Sequence, residues 1–326
     1  MKAVVCTRYG PPEVLQLREH ETPIPKDNEV LIRVRAATVM AGDCQLRSMS
    51  LPLPWQPIAR IGFGFRGPRR RILGQELSGV VETVGRNVRK FKPGDEIFAG
   101  TGLHLGAYAE FDCLSEKLPL ATKPSNMSFE EAACVPAGGL WSLPIIRKGD
   151  IRSGQEVLVI GAAGATGNLG LQLAKYYGAN VTAVDSTAKL DMLRSIGADH
   201  VVDFTKADFS KRGAAYDIIF DAVGKNPVSA CLRSLKQGGT LLLGNPAIWH
   251  LIRSRFSFSG SKRVMAGSAS YTVDDLVFLK ELIEAGRIRS VIDRRYPLEE
   301  TAEAHRYVDT GRKAGNVVIT VGHNGE

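Results

Sequence analysis

Apolar and polar residues alternate over short stretches in the first third of the chain. Val30, Ile32 and Val34 interleave with Leu31, Arg33 and Arg35, a period of two that suits a strand. Residues 77–84, 95–99 and 107–111 continue this character. Pro11-Pro12, Pro23 to Pro25 and Lys92-Pro93-Gly94-Asp95 mark turns between them. Short strands without long helices predict a small antiparallel barrel or sandwich. From about residue 124 the texture changes. Ser128, with Glu130 and Glu131 behind it, reads as a helix start, and 140–148 reads as partly helical despite Pro144. Strands at 156–160, 181–185, 200–204, 217–221 and 240–243 then alternate with helices at 168–177, 189–196 and 228–235. Residues 264–269 could close the sheet. This alternation predicts an α/β fold with a doubly wound parallel sheet. Two helices (273–285 and 299–309) and a strand (316–321) form the tail. The expected division is a first domain of 1–124, completed by 270–326, around a second domain of 125–269.

One stretch carries chemistry. The buried strand at 156–160 runs into Gly161-Ala162-Ala163-Gly164-Ala165-Thr166-Gly167, then a helix, then a strand ending at Asp185. This is the layout of a dinucleotide-binding βαβ unit. Glycines let the backbone approach a pyrophosphate because they lack a Cβ. The free N–H groups at the helix start face the anion, and the helix dipole adds roughly 0.3–1 kcal/mol. A carboxylate at Asp185 can accept hydrogen bonds from an adenosine ribose.

The remaining composition narrows the class. The chain has 326 residues, more than one core usually serves, with 44% hydrophobic and 23% charged residues, as in an ordinary globular protein. No transmembrane run and no signal peptide is read, so a cytoplasmic protein with no membrane insertion is expected. The net charge of +8 is read as a solvated surface plus an anion-binding cleft, because no nucleic-acid motif accompanies it. The dense basic cluster is Arg66, Arg69, Arg70 and Arg71. It closes an unusual segment, 48–73, which begins with three prolines that exclude a regular helix over 50–57 and continues with apolar Ile58 to Phe65. That segment is either a lid over a hydrophobic substrate, built with Trp55, Ile58, Ile61, Phe63 and Phe65, an irregular stretch packed on its own domain, or a membrane-surface contact. The five cysteines are scattered, with no Cys-x-x-Cys pair, which argues against a disulfide framework and a structural zinc site.

Besides the glycine turn, Met1-Lys2-Ala3-Val4-Val5, Leu73-Gly74-Gln75-Glu76-Leu77-Ser78-Gly79, Phe91-Lys92-Pro93-Gly94-Asp95-Glu96, Gly106-Ala107-Tyr108-Ala109-Glu110-Phe111, Gly197-Ala198-Asp199 and Gly315-Asn316-Val317-Val318 give the chain a family pattern. It resembles the medium-chain dehydrogenase/reductase superfamily over essentially its whole length, in the zinc-free quinone oxidoreductase branch. The resemblance implies a GroES-like antiparallel β-barrel domain, a Rossmann NAD(P)-binding domain and a homodimer joined through the Rossmann sheets. Zinc-dependent members place a cysteine where this chain has Met40 and a His-Glu pair where it has Gln75-Glu76, so no metal is expected. Without a Lewis acid, hydride transfer suits acceptors that are already electron-poor, such as quinones and α,β-unsaturated carbonyls.

The cofactor assignment pulls two ways. The Asp185 carboxylate repels a 2′-phosphate, by roughly 3 kcal/mol at about 5 Å and an effective dielectric near 20. Ser186, Thr187 and Lys189 follow at once and, by resemblance, suit NADP(H), which is the expectation. Lys189 could offset the repulsion, pair with Asp185, or be an exposed helix residue. By resemblance, Ala165 and Thr166 sit over the pyrophosphate. Phe204 lies near the adenine or else in the core. Val223 borders the ribose or nicotinamide, Trp141 lies near the nicotinamide, and Gly244 follows the next strand at its ligand-binding end. The tyrosine that some relatives place two residues after the acid matching Asp43 is Gln45 here. Tyr108 and Glu76 remain as candidate catalytic residues, each with a structural alternative. The expected activity is reduction of a small hydrophobic, electron-poor substrate. The competing reading is a non-catalytic cofactor-binding sensor or partner-binding module.

Overall fold

A computed structural model of the chain describes residues 1–50, 56–245, 258–259, 261–266 and 272–323. The chain divides into two compact units. One comprises the described residues of Met1–Ala137, Tyr271–Glu284 and Ser290–Glu326, and the other those of Gly138–Ser270 and Ala285–Arg289.

The first unit starts with the hairpin β1 (Lys2–Cys6) and β2 (Leu15–Glu19), paired antiparallel. The long strand β3 (Glu29–Val39) leads into helix α1 (Ala41–Ser48), and helix α2 (Gln56–Phe63) follows. Strands β4 (Glu76–Val84), β5 (Glu96–Gly100), β6 (Phe111–Ser115) and β7 (Leu120–Thr122) and the short helix α3 (Phe129–Ala133) complete its first part. β3 is the spine. It pairs antiparallel with β4 on one edge and with β6 on the other. Val30, Ile32 and Val34 join the core, and then Ala37 and Val39 do. That change of parity is made possible by the irregularity at Val34/Ala36, because one extra residue restores the inward face.

Helix α4 (Pro136–Lys148) carries the chain into the second unit, which begins at Gly138. Strand β8 (Glu156–Ile160), helix α5 (Ala165–Tyr176), strand β9 (Asn180–Asp185), helix α6 (Leu190–Ser195), strands β10 (His200–Asp203) and β11 (Tyr216–Asp221), helix α7 (Val228–Ser234) and strands β12 (Leu235–Leu243), β13 (Phe258–Ser259) and β14 (Lys262–Ala266) follow. The sheet order is β10-β9-β8-β11-β12-β14-β13, parallel except for β13. Apart from that edge strand, this is the Rossmann order, with the reversal between β8 and β11. The tail supplies helix α8 (Val273–Glu284), strand β15 (Ile292–Pro297), helix α9 (Thr301–Asp309) and strand β16 (Asn316–Thr320). β16 pairs antiparallel with β3 and parallel with β15, so both strands belong to the first unit's sheet.

Several expectations need correction. The first unit runs on past 124, because α3 packs on it: Ala133, Cys134 and Phe129 cover Ala36 and Val318, and Ser78 Oγ donates to Phe129 O. Residues 285–289 leave the tail for the second unit, where Arg289 N–H donates to Gln172 Oε1 at 2.8 Å and Gln172 Nε2 to Arg289 O at 2.9 Å. α2 is regular from Gln56 although Pro57 lies in it, since proline is tolerated in a first turn where its missing N–H has no helical partner. The strand expected at 107–111 begins only at Phe111. Residues 51–55 and 267–269 of the expected lid and closing strand lie outside the described residues.

Candidate functional site

The C-terminal edge of the parallel sheet gathers the glycine turn. α5 starts at Ala165, three residues earlier than the pattern suggested, with Gly164 as its cap and no side chain capping it. Asn168 N–H makes the first helical bond, to Gly164 O at 2.8 Å, so the preceding N–H groups of the first turn are left for an outside acceptor. Gly161 has φ +71° and faces Val223 so closely that a Cβ would lie 2.1 Å from Val223 Cγ2. A Cβ on Gly167 would lie 2.2 Å from Gly161 O. The chain's own packing therefore demands both glycines. It does not demand Gly164, whose Cβ would meet only Gly161 O at 3.5 Å. The bare backbone there leaves room for a ligand, and the loop fits a dinucleotide pyrophosphate.

Asp185 ends β9 beside this loop, and its carboxylate is largely committed. Oδ2 accepts from Ala163 N–H at 3.0 Å, while Oδ1 accepts from Ser186 N–H at 2.9 Å and lies 3.0 Å from Lys189 Nζ. The side chains of Asp185 and Lys189 are 7% and 12% exposed, so Lys189 is no free surface residue. Of the three readings of Lys189, pairing is the one found. Phe204 is 59% exposed, which removes the core alternative. Asp203 beside it is held down to about 2 by hydrogen bonds from Thr187 and Thr205.

At the switch point, buried Asp221 ends β11 and its Oδ1 accepts from Val223 N–H at 3.0 Å and Gly224 N–H at 2.9 Å. Sequence reasoning gave Asp221 no role, although an acid followed three residues later by glycine at a strand end signals such a self-capping turn. Trp141 Nε1 donates to Gly244 O at 2.6 Å, tying α4 to the end of β12. The structure thus brings together, at one edge of one sheet, the glycine turn, Asp185, Ser186, Lys189, Val223, Gly244 and Trp141.

Tyr108 and Glu76 belong to a buried cluster of the first unit, and both are 0% exposed. Tyr108 OH donates to Thr38 O at 3.1 Å. Glu76 accepts from Thr38 Oγ1 and from Ala137 N–H, the latter at 2.7 Å. Burial pushes Glu76 up to about 7 and Asp43 up to about 6. Asp43 accepts from Met40 N–H at 2.9 Å and from Gln75 Nε2 at 3.2 Å. Of the two alternatives for Tyr108 and Glu76, lining the site or a structural role, their burial in the interior of the first unit accords with the structural one. Thr38, which completes the cluster, carried no signal, being one more β-branched residue in a strand. The same residues do not fit a catalytic zinc. The Gln75 amide donates to Asp43, Met40 offers a thioether, and among the described residues no group of three or more His, Cys, Asp or Glu side chains could hold a metal.

Comparison with known proteins agrees with this architecture. The family model described as the alcohol dehydrogenase GroES-like domain matches residues 26–145, and that described as zinc-binding dehydrogenase matches 196–319. The chain is 32% identical to 2-methylene-furan-3-one reductase of Solanum lycopersicum, over 98% of this chain and 79% of that protein. It is 31% identical to the chloroplastic NADPH-dependent alkenal/one oxidoreductase of Arabidopsis thaliana, again over 98% and 79%. Among solved structures, the quinone oxidoreductase from Coxiella burnetii superposes with a TM-score of 0.86 at 26% identity, covering 99% of both chains. Strand order, glycine turn and whole-length similarity converge, and the chain belongs to the medium-chain dehydrogenase/reductase superfamily, in its quinone oxidoreductase-like branch.

Proposed function

We propose that the chain is a zinc-independent, NAD(P)H-dependent reductase of quinones or α,β-unsaturated carbonyls. The observation that carries this reading is the bare Gly164 at an uncapped helix start, set at the switch point of a Rossmann sheet in a chain related to such reductases along its length. The first-turn N–H groups of α5 would hold the pyrophosphate, with Ala165 and Thr166 over it. Phe204 would cover the adenine, and Val223, Gly244 and Trp141 would border the nicotinamide end. Bound there, the nicotinamide supplies a hydride. The chain orients it towards the acceptor. Tyr108 and Glu76 are buried, so protonation of the product by water suits this reading.

NADP(H) is favoured over NAD(H). The Lys189 ammonium offsets the Asp185 charge that would otherwise repel a 2′-phosphate, and Ser186 stands beside it. Lys189→Met should weaken NADPH binding by tenfold or more and NADH binding much less, as read by fluorescence titration. Equal losses for both cofactors would assign the pair to loop structure alone. The reading also includes a homodimer and a small hydrophobic acceptor.

The deciding experiment titrates the purified chain with NADH and NADPH and then adds a panel of quinones and enones. Faster NADPH consumption with an acceptor is expected. Cofactor binding without turnover across the panel would leave the sensor or binding-module reading in its place.

A further inference from the structure

The segment after α1 carries features that the cofactor site does not use. α2 buries Ala59 and presents Ile58 and Ile61, 58% and 62% exposed, one helical turn apart. Phe65 follows at 64%, and Leu103 is 70% exposed. Arg70 Nη1 donates to His104 O at 2.7 Å, which sets Leu103 beside the arginines. Arg66, Arg69, Arg70 and Arg71 are all exposed. Among the described residues none of the four forms an ion pair. The segment is anchored. Tyr9 OH donates to Gly64 O at 2.9 Å, and Arg60, lying over the Tyr9 ring at 5.8 Å, donates to Phe65 O at 2.8 Å.

We propose that this face of the first unit docks on an anionic lipid bilayer, with Ile58, Ile61, Phe65 and Leu103 entering the headgroup layer and Arg66, Arg69, Arg70 and Arg71 meeting lipid phosphates. Large apolar side chains held out in water beside arginines that form no ion pair are the two halves of an interfacial binding face. A chain of net charge +8 is drawn to such a surface from a distance. Charge complementarity selects this occupant. Three of the four apolar side chains, Ile58, Ile61 and Leu103, offer no ring on which a base could stack, and Phe65 alone makes no stacking platform for successive bases, which disfavours nucleic acid. An isologous contact with a second copy would set like-charged arginines against each other. The contact is peripheral: among the described residues no helix is long and apolar enough to cross a membrane.

Flotation of the full chain with vesicles of phosphatidylcholine, with and without phosphatidylglycerol, tests the proposal at low and high salt. The chain should float with anionic vesicles at low salt and stay behind with neutral ones. Combined Ile58→Ser, Ile61→Ser and Phe65→Ser substitutions should weaken partition about tenfold or more. Combined Arg66→Gln, Arg69→Gln and Arg71→Gln substitutions should weaken it roughly a hundredfold, at about fivefold per charge. Thermal midpoints equal to the parent's show that both variants fold. Should the serine variant fold poorly, Leu103→Ser and the arginine variant decide. Failure to bind anionic vesicles overturns the proposal, as does binding that the serine substitutions leave intact. Retention on single-stranded RNA or self-association through this face, without vesicle binding, overturns it too. Flotation needs no turnover, so its outcome is independent of the reductase reading.

Discussion

A carboxylate offers about four lone-pair directions. At Asp185 three are met by Ala163 N–H, Ser186 N–H and Lys189. The residue type and its place at a strand end were legible in the sequence. Its partners were not, because they depend on how the loop folds back over the strand. The glycines separate more cleanly. A Cβ at Gly167 would strike Gly161 O at 2.2 Å and Ala162 Cα at 2.9 Å, both backbone atoms that cannot swing aside. Gly167→Ala should therefore cost about 1–3 kcal/mol of stability along with cofactor affinity. Gly164→Ala has no such clash and should leave urea unfolding nearly unchanged while weakening NADPH binding tenfold or more. Wild-type affinity in Gly164→Ala would mean that the first turn of α5 is not the pyrophosphate cradle. Tyr108 shows the limit at this scale. A tyrosine in a Gly-Ala-Tyr-Ala-Glu-Phe stretch can point to substrate or inward, and the outcome rests on Thr38 O, far away in sequence.

Elements were legible where periodicity and caps agreed. The Ser128 start of α3 forms a reciprocal box, with Glu131 N–H donating to Ser128 Oγ at 3.2 Å and Ser128 N–H to Glu131 Oε2 at 2.9 Å. The parallel strands of the second unit stand out as apolar runs because both faces of such a sheet are covered. Legibility failed at α2, where the prolines hid a helix, and at β6, whose start is set by pairing with β3 rather than by its own residues. Another relation invisible in sequence joins β4 to Ala137, within the first unit. Glu76, at the start of β4, accepts from Ala137 N–H in the first turn of α4, and burial raises its pKa from 4.5 to about 7. Between those values the folded chain keeps a proton that the unfolded chain has released. This group's contribution is thus full below about pH 4.5 and is lost as pH rises towards 7. The loss amounts to roughly 3 kcal/mol. Glu76→Gln cannot ionise. Its urea-unfolding stability should gain on the parent's across that window, whereas parallel curves would show that Glu76 does not titrate there.

Across the whole molecule, five cysteines stand free. Burial raises every thiol, with Cys6 at about 11, Cys113 and Cys231 at about 12, and Cys44 and Cys134 also shifted up. Thiolate is the reactive form, so the native chain should resist iodoacetamide at neutral pH while urea exposes all five thiols. Labelling of one cysteine in the native chain, followed by mass spectrometry, would mark a thiol held in a different environment. Reductant should leave the thermal midpoint unmoved.

The pairing of β3 with β16 also bears on biogenesis. One edge of β3 is filled by β4, and β6 takes only the first half of the other, up to Arg33. The second half, Ala36 to Val39, waits for Val317 to Thr320. On a ribosome that strand emerges after nearly all of the chain, with the whole parallel sheet made in between. The second unit's sheet can assemble while the first unit still carries an open strand edge, and such an edge invites pairing with the wrong chain. A ribosome stalled before residue 316 would thus hold a nascent polypeptide whose first-made unit is the last to be sealed.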